Sequence, residues 1–233
     1  RLYQIDIRPL HHDEGVNYHF LREIFSKGYY NYSHQNYHGP FYFYFAALIR
    51  SIYGDSILAL RLPSVIGGVA LCFLPFLFRE AKLSFKVISA VLLALSPSLI
   101  FHSRYAIHEV CFVALGVWFG VSVYQFLSTS IPKWLYHIAV SLALMIATKE
   151  TFIITGFSIF IAMLSTFKFS KILHSIKTTE ASLIKAFLLF VFVLLGTFSA
   201  GFRWFSGIRE MVLAVPQWIS RNETDTGHFK PFA

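Results

Sequence analysis

Charge is scarce in this chain: 14% of its 233 residues are Asp, Glu, Lys or Arg, against 56% that are hydrophobic. A soluble domain carries about 25% charged residues, so the composition excludes an ordinary soluble globule and implies an integral membrane protein. Cysteine is nearly absent. Cys72 and Cys111 both lie in apolar runs, where a thiol behaves as a small hydrophobe, and two such residues exclude a disulfide framework or a zinc motif. No internal repeat and no low-complexity tract occurs. A concentrated basic patch is missing too. The net charge is +8, but the basic residues are scattered between apolar runs, which argues against nucleic acid as a partner and for anchoring on the cytoplasmic side of a membrane. The chain opens at Arg1 without Met or a signal peptide, and reads as part of something longer.

What is present is a series of apolar stretches. A spanning helix needs about 20 mostly apolar residues to cross roughly 30 Å of hydrocarbon. Six stretches come close, over residues 56–78, 83–101, 107–127, 134–148, 151–167 and 185–202. The fourth and fifth, read as one helix, would extend about 50 Å, too long for a single crossing, so a hairpin is expected with Lys149 and Glu150 at its turn. The expected organisation is an external first loop over 1–55, a bundle of six spans over 56–202, and a further external loop over 203–233. Residues 41–53 are aromatic and too short to span, so they read as an interfacial helix. Placing the first loop outside leaves eight basic residues (Arg79, Lys82, Lys86, Lys133, Lys168, Lys171, Lys177, Lys185) against Glu80 and Glu180 on the cytoplasmic side. That asymmetry is what positive-inside loops show. Sequons at Asn31 and Asn222 fall on the outer side and agree with this orientation.

With that topology the polar sequences converge on one face: Asp13-Glu14, Tyr37-His38-Gly39-Pro40, Arg61, Arg104, His108-Glu109, Lys149-Glu150 and His228-Phe229-Lys230-Pro231. A carboxylate at such a boundary can act as general base toward a hydroxyl while Arg, Lys or His holds a phosphate leaving group. This is equipment for glycosyl transfer from a lipid phosphate.

Arg8-Pro9-x-x-x-Asp13-Glu14, Gly28-x-Tyr30, His38-Gly39-Pro40-x-x-x-Tyr44, Gly54-Asp55-Ser56-x-x-Ala59-x-Arg61-Leu62-Pro63, Ser96-Pro97 with Ser103-Arg104-Tyr105, Thr148-Lys149-Glu150 and His228-x-Lys230-Pro231 follow one another in order. Together they resemble the dolichyl-phosphate-mannose protein mannosyltransferase superfamily. Within it the chain looks most like prokaryotic, especially archaeal, members associated with lipid-linked sugar flipping, and more distantly like the lipid A aminoarabinose transferases. The resemblance implies an all-α C-type glycosyltransferase fold with a catalytic acid in the first external loop, a spanning helix before Arg1 and several after Ala233. It implies Asp13 as general base with Glu14 beside it. Arg61, Arg104, Lys149, Lys230 and His38 would be donor-phosphate contacts, Glu109 and Glu150 a second acidic site, and His228 and Tyr44 acceptor or sugar contacts. The implied partners are a polyprenyl- or dolichyl-phosphate sugar, a protein or lipid-linked glycan acceptor, and membrane lipid. The implied location is a prokaryotic plasma membrane with the site on its extracytoplasmic face.

Plainer readings stand beside these. Where the aminoarabinose transferases have Lys-Pro-Pro this chain has His38-Gly39-Pro40, and histidine is fully charged only below about pH 6.5. Arg61 and Arg104 can be snorkelling interfacial arginines. Glu109 suits a positive helix N-terminus as well as catalysis. Lys149-Glu150 can be a charge-compensated turn. His11, His12 and His38 keep a divalent metal open, although interfacial hydrogen bonding is the commoner role, and no other cofactor is implied. Transport of lipid-linked sugars without transfer, or a non-catalytic scaffold, are the competing functions.

Overall fold

A computed structural model describes residues 1–35 and 38–224, with side chains to residue 217. The described residues are helical, with one isolated bridge between His38 and Lys149 as their only extended pairing. The helices are α1 (His12–Lys27), α2 (Phe41–Tyr53), α3 (Ile57–Phe73, continued by a 3-10 turn, Leu74–Leu77), α4 (Leu83–Leu95), α5 (Pro97–His102), α6 (Glu109–Thr129), α7 (Lys133–Ile146), α8 (Phe152–Thr166), α9 (Phe169–Thr178), α10 (Glu180–Phe198) and α11 (Ser206–Thr224).

All six apolar stretches are helical, but they differ in reach. Three helices among the described residues, Ile57–Leu77, Glu109–Thr129 and Glu180–Phe198, are long and apolar enough to cross a membrane; counting α8 and α9, which meet at 108°, as one broken span makes four. Sequence alone suggests six. The second stretch is cut by Pro97, whose ring disfavours helical backbone in the preceding residue; Ser96 sits at φ −58°, ψ 117° and the axis breaks there. The fourth is a 14-residue helix and so only about 21 Å long. The basic stretch 168–185, expected as a loop, is helical over its first part, the amphipathic helix α9. It buries Ile172 and Ser175 and exposes Phe169, Leu173 and Ile176.

α6 is the central element, packing on α3, α7 and α8, while α7 also packs on α10. Gly116 allows the α6–α8 approach, since a methyl group there would lie 3.3 Å from Thr155 Cγ2. Exposed apolar side chains such as Leu92, Phe157, Phe187 and Phe192 cover the outside of these helices, as hydrocarbon surroundings require. One apolar cluster, built on Tyr30, Tyr42 and Phe43, underlies the polar end; a second, built on Phe126, Trp134 and Leu135, lies at the other end, where Ser130 and Ser175 hydrogen-bond at 2.9 Å and hold α9.

Gly116→Leu is expected to lower the stability of the purified protein by about 1–3 kcal/mol, the usual cost of overpacking. Gly156→Leu, where a Cβ meets nothing within 4 Å, is the control and should show no loss in the same thermal melt.

Candidate functional site

The first loop is anchored by a short sequence that caps its own helix. His11 is the N-cap of α1: its ring accepts from Asp13 N, and the Glu14 carboxylate accepts from His11 N at 3.0 Å, which is a reciprocal capping box. Gly28, at φ 82°, ends the helix in the left-handed conformation that glycine adopts without strain.

Glu14 does more than cap. It is fully buried, and both its oxygens meet Arg61 of α3, Oε1 to Nε at 2.7 Å and Oε2 to Nη2 at 2.7 Å. Oε1 also accepts from Ala106 N at 2.9 Å. Arg61, itself 1% exposed, donates further to the carbonyls of Ile5 and Pro9. Burial alone would raise the Glu14 pKa, but the Arg61 hydrogen bond and the two backbone N–H groups outweigh it and hold the carboxyl below its ordinary value. The pair ties the first loop, α3 and the segment before α6 into one unit.

Asp13 is the neighbour with the opposite environment. Its side chain is 64% exposed at the start of α1, and its nearest polar partner is the His11 ring at 3.6 Å. His11 packs edge-on against Tyr105, and the Arg8 guanidinium lies 3.5 Å over the Tyr105 ring with Nη2 buried and without a hydrogen-bond partner. Arg8 and Arg104 line a groove of about 480 Å³, with Arg61 and the apolar side chains of Ile5, Ile100 and Phe101. Arg104 donates to Gln4 O at 3.0 Å, which leaves most of its fork unused.

A second group of polar residues forms where the first loop meets the end of α7. The carbonyls just past the end of α7 have no helical partner, and Gly39 N and Phe41 N supply two donors, to Thr148 O at 3.1 Å and Ala147 O at 2.9 Å. Only glycine fits at 39, because a Cβ would lie 2.2 Å from Ala147 O. This stacks the His38 ring on the buried His108 ring, centroids 4.3 Å apart, and Tyr42 also packs against His108 at 4.3 Å. Burial first, and then Lys149, lowers the His38 pKa; burial, His38 and Lys149 lower that of His108 well below 6.5. The stacked pair is therefore neutral at neutral pH, and His38 can offer a phosphate an N–H but no charge. Lys149 is paired with Glu109 at 2.9 Å.

Glu150 stands apart from these pairs. Its carboxylate has no side-chain hydrogen-bond partner among the described residues, and burial pushes its pKa up to about 7 against the lowering effects of its own N–H and Lys149. Tyr44 turns its hydroxyl to accept from Tyr30 N at 3.2 Å and builds the loop. His228 and Lys230 lie outside the described residues. Sequence reasoning quoted Arg8 and His108 only as parts of longer motifs. Their signal would have been the aromatic residues beside them, Tyr105 and Tyr42, but pairings between distant elements are not readable from spacing. Among the described residues no group of three or more His, Cys, Asp or Glu gathers as a metal site would need.

The profile of the dolichyl-phosphate-mannose-protein mannosyltransferase family matches residues 37–195. The chain belongs to that family. Membership makes it a membrane protein of a glycosyltransferase family, in agreement with its apolar helices. No curated protein and no solved structure matches the chain. The family match covers His38, Arg61, Arg104, Glu109, Lys149 and Glu150 and starts after Asp13 and Glu14, so the roles of that acid pair rest on their geometry.

Glu14→Gln leaves Arg61 buried without its counter-charge and is expected to cost about 3–5 kcal/mol in a thermal or denaturant melt. The sign of the pH dependence follows from the lowered pKa. The Glu14 contribution is present above the unfolded value near 4.5 and is lost as pH falls through the lower folded value. Stability of the wild type should consequently fall more steeply than that of Glu14→Gln as pH drops below about 4.5, the unfolded value.

Proposed function

We propose that this mannosyltransferase-family protein transfers a sugar from a polyprenyl or dolichyl phosphate to an acceptor hydroxyl on the extracytoplasmic face. The observation that carries the reading is the division of labour in the acid pair: Glu14 is consumed by Arg61, while Asp13 stays exposed beside His11, whose ring packs on the Tyr105 that Arg8 of the arginine-lined groove covers. An accessible carboxylate is what a general base needs.

In the proposed reaction Asp13 takes the proton of the acceptor hydroxyl as its oxygen attacks the anomeric carbon. The bond from that carbon to the phosphate oxygen breaks with its electron pair on the phosphate, and a single displacement inverts the anomeric centre. Arg8 and Arg104 supply the charge that receives the lipid phosphate, and the apolar walls of the groove suit the first units of its chain. Arg61 borders the groove but spends its donors on Glu14 and the first loop, so its role here is to hold Asp13 in place. His38 contributes a neutral N–H at the edge of the same end of the bundle. The orientation with the first loop outside rests on the excess of basic residues at the opposite end, where α9 carries Lys171 and Lys177.

Transport without transfer calls for ionisable groups near the bilayer midplane. The charged residues of the three longest spans, Arg61, Glu109, Glu180 and Lys185, all lie in the first two turns of their helices. That distribution favours chemistry at the boundary.

The test is sugar release and transfer from a panel of labelled polyprenyl-phosphate sugars by the full protein in detergent. Asp13→Asn should lower turnover by about 10²–10⁴-fold with an unchanged melt, the range for losing a general base. Arg104→Gln should raise KM for the donor more than it lowers kcat. Undiminished turnover in Asp13→Asn would refute the assignment.

A further inference from the structure

A second groove, of about 490 Å³, opens at the same end of the bundle between the α7–α8 turn, α10 and α11. Its walls are apolar, contributed by Ile153, Leu194, Phe198, Met211 and Val215, and among the residues that line it Glu150 is the one acidic or basic side chain. That carboxylate is half-buried and has no side-chain hydrogen-bond partner among the described residues, since Lys149 is turned to Glu109 and Glu210 to His34. The groove is closed on the first-loop side by Tyr32, whose ring packs edge-on against Phe198 at 4.9 Å, and the His34–Glu210 contact ties the same loop to α11.

The two grooves at this end have opposite chemistry. One presents unspent guanidinium groups, the other a lone carboxylate in an apolar wall. A phosphate is attracted to the first and repelled from the second. What a half-buried carboxylate lacks is a hydrogen-bond donor, and what the remaining wall lacks is an apolar surface to cover it. We propose that the α7–α8/α10/α11 groove binds an apolar chain ending in an uncharged hydroxyl, which donates to Glu150. A hydroxyl group suits this site in either ionisation state of the carboxyl, because the protonated form still offers an acceptor oxygen.

The experiment uses the full protein in lipid nanodiscs and a long-chain alcohol carrying a diazirine near its hydroxyl end, with the phosphate ester of the same alcohol as comparison. After irradiation the alcohol should label peptides containing Leu194 to Phe198 and Met211 to Val215, and the phosphate ester should label them at least tenfold less. Glu150→Leu should weaken labelling by the alcohol about tenfold, as expected for losing a hydrogen bond to a charged group. Met211→Trp, which fills the groove and leaves Glu150 in place, should abolish it and guards against misfolding of the first variant. Equal labelling by the two probes, or labelling indifferent to both substitutions, overturns the proposal. Asp13→Asn should keep full labelling, so a failed transferase assignment and a failed alcohol-binding groove give different results.

Discussion

The buried contact between Glu14 and Arg61 is the constraint on which the polar end of this molecule depends. Removing two charges from water costs several kcal/mol per ion, and such a pair is tolerated only when geometry is good and the remaining donors and acceptors are satisfied. Both conditions hold. Glu14 accepts from the Arg61 fork and from two backbone N–H groups, and Arg61 passes its remaining donors to loop carbonyls at Ile5 and Pro9. The first loop also carries the apolar side chains of Leu21, Tyr30, Tyr42 and Phe43 into the core, and the Glu14 contacts add a polar tie to α3 and to the segment before α6.

Positioning of the reactive groups follows. With Glu14 drawn inward at the third position of α1, the residue before it must point elsewhere, since adjacent helical side chains diverge by about 100°. Asp13 thus faces solvent beside His11 and the Arg8–Tyr105 stack. The loop then returns through His38-Gly39-Pro40, pinned by the end of α7, so that two stretches of the first loop frame one end of the bundle. Arginines line one groove at that end and Glu150 the other.

Much of this was legible in the sequence, and the exceptions have physical causes. The family, the helical class and the gathering of polar residues at one end follow from hydropathy and motif order. The α2 boundaries at Phe41 and Tyr53 agree because Pro40 and Gly54 punctuate them. The lengths of the spans were not legible: Pro97 interrupts an apolar run whose composition alone looks continuous, and α9 reads as a basic loop until its apolar side chains are placed on one face. Asp13 and Glu14 look equivalent as letters. Only the burial of Arg61, 47 positions away, separates a strut from an open carboxylate. Likewise Lys149 looks like a free cation but is paired with Glu109, while the adjacent Glu150 is left facing an apolar groove.

The most direct test of the account is a cryo-EM structure of the full protein with a non-reactive polyprenyl-phosphate sugar analogue. Glu14 should still be clasped by Arg61, with the phosphate against Arg8 and Arg104 and the Asp13 carboxylate facing the anomeric carbon across a space open to an incoming hydroxyl. A structure in which Glu14 has left Arg61 and turned to the donor, with Asp13 directed away, would contradict it.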